Sequence, residues 1–110
     1  MDYVIIDYGL KTIYKNKKYS HKNGKPHSYN DLPAIVYEDG TKYWYQNGHL
    51  HRDNDLPAIV YEDGTKYWYQ NGFLHRDNNQ PAAIYADGTV EYWIHGKKTS
   101  LLTNWIVEGF

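Results

Sequence analysis

The sequence predicts an all-β protein built from repeated antiparallel β-hairpins with a period of 24 residues, ending in a short capping helix. Three observations carry this. Residues 31–48 read DLPAIVYEDGTKYWYQNG, and residues 55–72 repeat the same eighteen residues. A third copy with changes, NQPAAIYADGTVEYWIHG, follows at 79–96. Between 23 and 96, short β-branched and aromatic runs alternate with Asp-Gly and Asn-Gly pairs, and no helical periodicity appears.

Taking one unit in order, Pro33 opens the run Ala34–Tyr37, a first strand position that tolerates proline. Asp39-Gly40 turns the chain into a returning strand, TKYWYQ, and Asn47-Gly48 makes a second tight turn. A short extended piece, His49–Arg52, and the polar connector Asp53–Asp55 complete the unit. The punctuation recurs at Asp63-Gly64, Asn71-Gly72 and Asp87-Gly88, with His95-Gly96 replacing the last Asn-Gly. The chain therefore divides into a degenerate N-terminal unit (1–22), repeats at 23–46, 47–70 and 71–96, and a C-terminal cap (97–110), all in one domain. Within the cap, Leu101, Leu102, Trp105 and Ile106 share one helical face behind Thr99 or Ser100 as N-cap, which predicts a helix over 100–108; a final strand is the alternative.

Composition narrows the function. Twelve Lys and Arg against thirteen Asp and Glu give a formal charge of −1, with no global bias toward nucleic acid or anionic membrane. Thirteen Tyr and four Trp instead supply contact surface. No cysteine is present, which removes disulfides and thiol chemistry. The N-terminal MDYVIIDYG is no signal peptide, no apolar run approaches a membrane span, and a cytoplasmic compartment (the host cytoplasm, if the source is viral) is the expectation.

Alternation splits the returning strand into two sides: residues 41, 43 and 45 on one, 42, 44 and 46 on the other. The second side reads Lys-Trp-Gln in the two identical units and Val90-Tyr92-Ile94 in the last. The apolar triplet asks for a cover, and the Leu101/Trp105 stripe is the candidate. Trp44 and Trp68, flanked by Lys42 and Lys66, suggest an aromatic ladder open to a partner; the simpler reading packs each Trp onto Ile or Val of its own hairpin. His51-Arg52 and His75-Arg76 add repeated polar candidates, and Tyr43 and Tyr67 offer rings for stacking. Local acids at Asp39, Asp53, Asp55, Asp63 and Asp77 cancel the basic charge and argue against nucleic acid. Equivalent histidines on neighbouring hairpins stand about 9–10 Å apart, too far to share a metal, and solvated or turn-bonding histidines are the simpler reading. No nucleophile elbow or phosphate loop occurs, so neither catalysis nor a cofactor is expected.

The segment DGTKYWYQNGHLHRD resembles a MORN-type repeat (membrane occupation and recognition nexus), with Tyr45, Tyr69 and Trp93 where that family carries its aromatic before the turn glycine. It is closer to a variant of that repeat associated with phages, large DNA viruses and some bacteria, over roughly residues 16–96. The period exceeds the common one, and Asp53 and Asp77 stand where a family glycine is found. The resemblance implies an elongated, twisted, single-layer sheet and a protein-binding scaffold. A homodimer protecting sheet faces and edges is a further expectation. The alternative function is a viral or phage accessory factor that inhibits a host defence enzyme or sequesters a nucleotide or other small ligand.

Overall fold

A computed structural model describes residues 3–6, 11–14 and 17–100, with side chains from Tyr19 onward. Every element is a strand. The main sheet contains β1 (Tyr3–Ile6), β2 (Lys11–Tyr14), β3 (Lys17–Lys22), β4 (Lys25–Pro26), β5 (Ile35–Tyr37) and β6 (Lys42–Tyr43) from the first part of the chain. Between them and the next repeat come β7 (Tyr45–Gln46) and β8 (His49–Leu50), which pair with each other. The second repeat supplies β9 (Ile59–Val60), β10 (Lys66–Tyr67) and the paired β11 (Tyr69–Gln70) and β12 (Phe73–Leu74). The third supplies β13 (Ala83–Ile84), β14 (Val90–Ile94) and β15 (Lys97–Thr99).

The order β1-β2-β3-β5-β6-β9-β10-β13-β14-β15 makes an open, wholly antiparallel meander, one hairpin after another. Its extents of 61 × 28 × 19 Å and radius of gyration of 16.4 Å describe a slab, against about 13 Å for a compact chain of this length. The repeated-hairpin, single-sheet architecture read from the sequence is the one observed. The helix expected over 100–108 lies, from residue 101 on, outside the described residues, as does the Leu101/Trp105 stripe. Among the described residues no helix is long and apolar enough to cross a membrane.

Two kinds of turn set the geometry. At Asp39-Gly40 the Gly40 N–H donates to Tyr37 O at 3.0 Å and Thr41 N–H to the Asp39 carboxylate at 2.8 Å. Gly40 takes φ 97, a left-handed conformation that a side chain would strain. At Asn47-Gly48 both residues are left-handed, φ 49 and 87, which matches strand twist in a two-residue hairpin.

One expectation is corrected. TKYWYQ is not a continuous strand: β6 ends at Tyr43 and β7 begins at Tyr45. Trp44 is the crossing point, its N–H still bonded to Ala58 O at 2.7 Å while its own carbonyl accepts from His51 N–H at 3.2 Å. The chain thereby leaves the main sheet for the β7–β8 hairpin, and Trp68 does the same with Ala82 and His75.

Packing solves the problem of a sheet without a second layer. Among the described residues no large side chain is fully buried. The sequestered residues are small or branched: Ile35, Ile59 and Ala83 on one face, and Ala34, Ala58 and Ala82 beside Trp44 and Trp68 on the other. Each face is blanketed by its own long side chains, which remove water from the residues beneath.

Candidate functional site

Cross-strand pairing puts Ile35, Tyr43, Ile59, Tyr67, Ala83 and Glu91 in one row on one face. Tyr37, Tyr61 and Tyr85 lie two residues along on the same side. Their rings meet edge to face: Tyr37–Tyr43 at 5.5 Å, Tyr43–Tyr61 at 6.3 Å, Tyr61–Tyr67 at 5.6 Å and Tyr67–Tyr85 at 5.9 Å. Tyr45 stacks on Tyr43 at 15°. T-shaped pairs set a positive ring edge against a negative face and contribute about 0.5–1.5 kcal/mol each beyond burial. All six rings are half-buried, so the row is both the lid over Ile35 and Ile59 and a surface open to contact. Burial, with a hydrogen bond to Tyr61, pushes the Tyr43 hydroxyl up to about 12. Burial and contacts with Tyr67 and Glu91 raise Tyr85. These hydroxyls stay neutral near pH 7 and can donate or accept.

The opposite face is organised differently. Extending the register by one residue gives the row Ser20, Ala34, Trp44, Ala58, Trp68, Ala82, Tyr92, in which each indole lies between two alanines. The Arg52 guanidinium carbon sits 3.7 Å from the Trp44 ring centroid, and that of Arg76 3.9 Å from Trp68. Arg52 grips the Asp31 carboxylate with Nε at 2.9 Å and a terminal nitrogen at 3.1 Å, and donates its other terminal nitrogen to Pro57 O at 3.1 Å. Arg76 does the same with Asp55 and Pro81 O. Trp44 Nε1 donates to Asp31 O and Trp68 Nε1 to Asp55 O, both at 3.0 Å. The guanidinium hydrogen bonds hold both carboxyls below their ordinary range. Asp31 and Asp55 adopt left-handed φ of 58 without being glycine, a conformation Asp tolerates and the clamp fixes.

The open tryptophan ladder expected from the sequence is therefore corrected. Trp44 is 6% exposed and Trp68 7%, each covered by an arginine. Their direct cross-strand neighbours in the row are alanines, with Val36 and Val60 two residues along on the same face. Beside the clamps run grooves of about 260 and 200 Å³, lined by Asp31, His51 and Arg52 in the first and Asp55, His75 and Arg76 in the second. The third unit breaks the pattern. Tyr92, Asn79 and Ser100 occupy the Trp, Asp and Arg positions. Its groove of about 250 Å³ is lined by Asn79, Tyr92, Trp93, Ile94 and Thr99 among others.

His51 and His75 act as staples between units. Asn71 N–H donates to His51 Nδ1 at 3.1 Å and His95 N–H to His75 Nδ1 at 2.9 Å, while the Nε2 atoms face Asp53 and Asp77 at 2.8 Å. His27 accepts likewise from Asn47 N–H at 3.0 Å. Accepting at Nδ1 requires a neutral imidazole with its proton on Nε2. Among the described residues no group of three His, Asp or Glu side chains is placed to hold a metal.

The residues singled out by sequence thus separate. Tyr43 and Tyr67 belong to the tyrosine face, Trp44, Trp68, Arg52 and Arg76 to the clamps on the other, and Lys42 and Lys66 stand exposed beside Val36 and Val60 on that second face. His51 and His75 sit at the unit junctions. Asp31 and Asp55 were missed, as were Tyr37, Tyr61 and Tyr85. A signal for the aspartates exists: Asp, Trp and Arg are all replaced in the third unit together. Comparison with protein-family profiles, with curated proteins and with solved structures returns no match.

Proposed function

We propose that this chain is a non-catalytic, MORN-like binding module that engages a protein partner through its tyrosine face, and that it forms a homodimer. The observation that supports the reading is the contiguous row Tyr37–Tyr43–Tyr61–Tyr67–Tyr85, half-exposed across three hairpins. Tyrosine suits such a surface because it offers large area, one polar tip and little rotamer entropy to lose. On the opposite face the two arginines are closed in pairs with Asp31 and Asp55, and Lys42 and Lys66 stand as exposed cations. Affinity capture with Tyr61→Lys and Tyr67→Lys variants, set against Lys42→Glu/Lys66→Glu on the other face, tests this. Loss of the partner only with the tyrosine variants, at unchanged β-sheet circular dichroism, supports it; loss only with the lysine variants sinks it. Light scattering at micromolar concentration reads the oligomer, and a monomer mass removes the dimer.

A second reading, an accessory factor of viral or phage type that sequesters a nucleotide or other small ligand, is favoured by the third groove. Serine stands at position 100 where the other units place their arginine, and Tyr92, Trp93 and Ile94 form an apolar lining. A thermal-shift screen with nucleotides and sugars separates the readings, because a saturating ligand stabilises by mass action.

A further inference from the structure

Three turns of this chain carry Asn-Gly: Asn23-Gly24, Asn47-Gly48 and Asn71-Gly72. They share one geometry, with φ of 52 and 78, 49 and 87, and 50 and 88. All three asparagines are exposed. Their surroundings differ. Gly48 donates its N–H to Pro26 O at 2.9 Å and Gly72 to Leu50 O at 2.8 Å, each a carbonyl of the preceding hairpin. Asn47 and Asn71 are tied in the same way to His27 and His51 Nδ1 at 3.0 and 3.1 Å. Neither the Gly24 N–H nor the Asn23 N–H has such a partner among the described residues.

We propose that Asn23-Gly24 is a site of spontaneous deamidation and isomerisation, and that unit stacking shields the two equivalent pairs that follow. The glycine nitrogen gives its proton to hydroxide and attacks the asparagine Cγ. The bond from Cγ to the side-chain nitrogen breaks, ammonia leaves, and a five-membered succinimide closes. Water then adds to either ring carbonyl and opens it to aspartate or isoaspartate. The net change is one water consumed and one ammonia released, with no redox step. Glycine makes this attack easiest because no side chain blocks its nitrogen. An N–H held by a neighbouring carbonyl resists both deprotonation and the rotation that brings nitrogen to Cγ, so Asn47 and Asn71 react through local opening of the array.

The product matters to the array. The new carboxylate arises between Lys22 and Lys25, and the isoaspartate form lengthens the backbone of a two-residue turn by one methylene. Lys25 packs against the next turn, its Cδ 3.1 Å from where a Cβ on Gly48 would stand. Modification of the first turn therefore loosens the stack at the start of the series.

Peptide mass spectrometry on the intact chain tests this, since trypsin places the three asparagines in separate peptides, 23–42, 43–52 and 67–76. After incubation at mildly alkaline pH, the folded protein is expected to convert Asn23 several-fold faster than Asn47 or Asn71, and in urea the three rates should converge. Equal rates at all three sites in the folded protein overturn the proposal. So does an unmodified Asn23 over a period in which the unfolded chain converts.

Discussion

Arg52 closes over Trp44 at 3.7 Å while holding Asp31 through two parallel hydrogen bonds, and Arg76, Trp68 and Asp55 repeat the arrangement one unit later. The clamp joins residues from two successive hairpins, so it acts between units rather than within one. Arg52→Ala removes the guanidinium that lies over the Trp44 ring and leaves Asp31 in a left-handed turn without that partner. The expected loss is about 1–3 kcal/mol, combining a cation–π contact with a partly exposed ion pair. The urea midpoint measures it. A double-mutant cycle with Asp31→Asn should show coupling, and strict additivity would mean that the two groups do not act together.

The alanine row sets a second expectation. Ala58 is fully buried and stands between Trp44 and Trp68 in the cross-strand row, so a larger side chain there must displace its neighbours. Ala58→Leu should cost about 1–3 kcal/mol or more through overpacking, although leucine is the more apolar residue. A thermal melt that matches or exceeds the parent would show that the row is not tightly packed.

Much of this was legible in the residues, and the limits have physical causes. Asp-Gly and Asn-Gly pairs between aromatic runs specify hairpins through φ alone, and alternation correctly separated Tyr43 from Lys42. Alternation failed at Trp44, because a residue that changes hydrogen-bond partner between two ladders still looks like mid-strand in sequence. Sequence leaves the Trp rings either open or packed in their own hairpins, because burial by an arginine eight residues later, pinned by an aspartate of the previous unit, follows from a register no periodicity reveals. The replacement of all three clamp residues in the third unit is visible, but only the clamps of the two earlier units show that these three positions belong together.

Acid should dismantle the array in two stages. Burial and the nearby Lys22 lower the His27 pKa from its ordinary 6.5, so the unfolded chain takes up that proton more readily than the folded one. The stability this confers is present above pH 6.5 and is lost as pH falls through the folded value, because a protonated Nδ1 cannot accept from Asn47. Asp31 and Asp55 are lowered from 3.8 by their arginines, and their contribution is present above 3.8 and lost as pH falls below it. Chemical denaturation as a function of pH should therefore show a first decline below about 6.5, which His27→Gln reduces, and a second below about 4. A flat profile between pH 7 and 5 would remove the staple role of His27.

The third unit offers the reverse experiment. Restoring the clamp with Asn79→Asp, Tyr92→Trp and Ser100→Arg places the same three groups at the equivalent positions, where Asn79 already holds φ 56 against 58 for Asp31 and Asp55. Ala82 remains on one side of the new indole, as Ala58 does for Trp44. The new guanidinium would fill part of the 250 Å³ groove and bury the ring that Tyr92 now leaves half-exposed. The triple variant should gain about 1 kcal/mol over the parent, while Ser100→Arg alone gains less because a neutral Asn79 cannot hold the guanidinium in place. Differential scanning calorimetry reads the gain. If the triple variant melts below the parent, the third groove is built for something other than the arginine clamp of its neighbours.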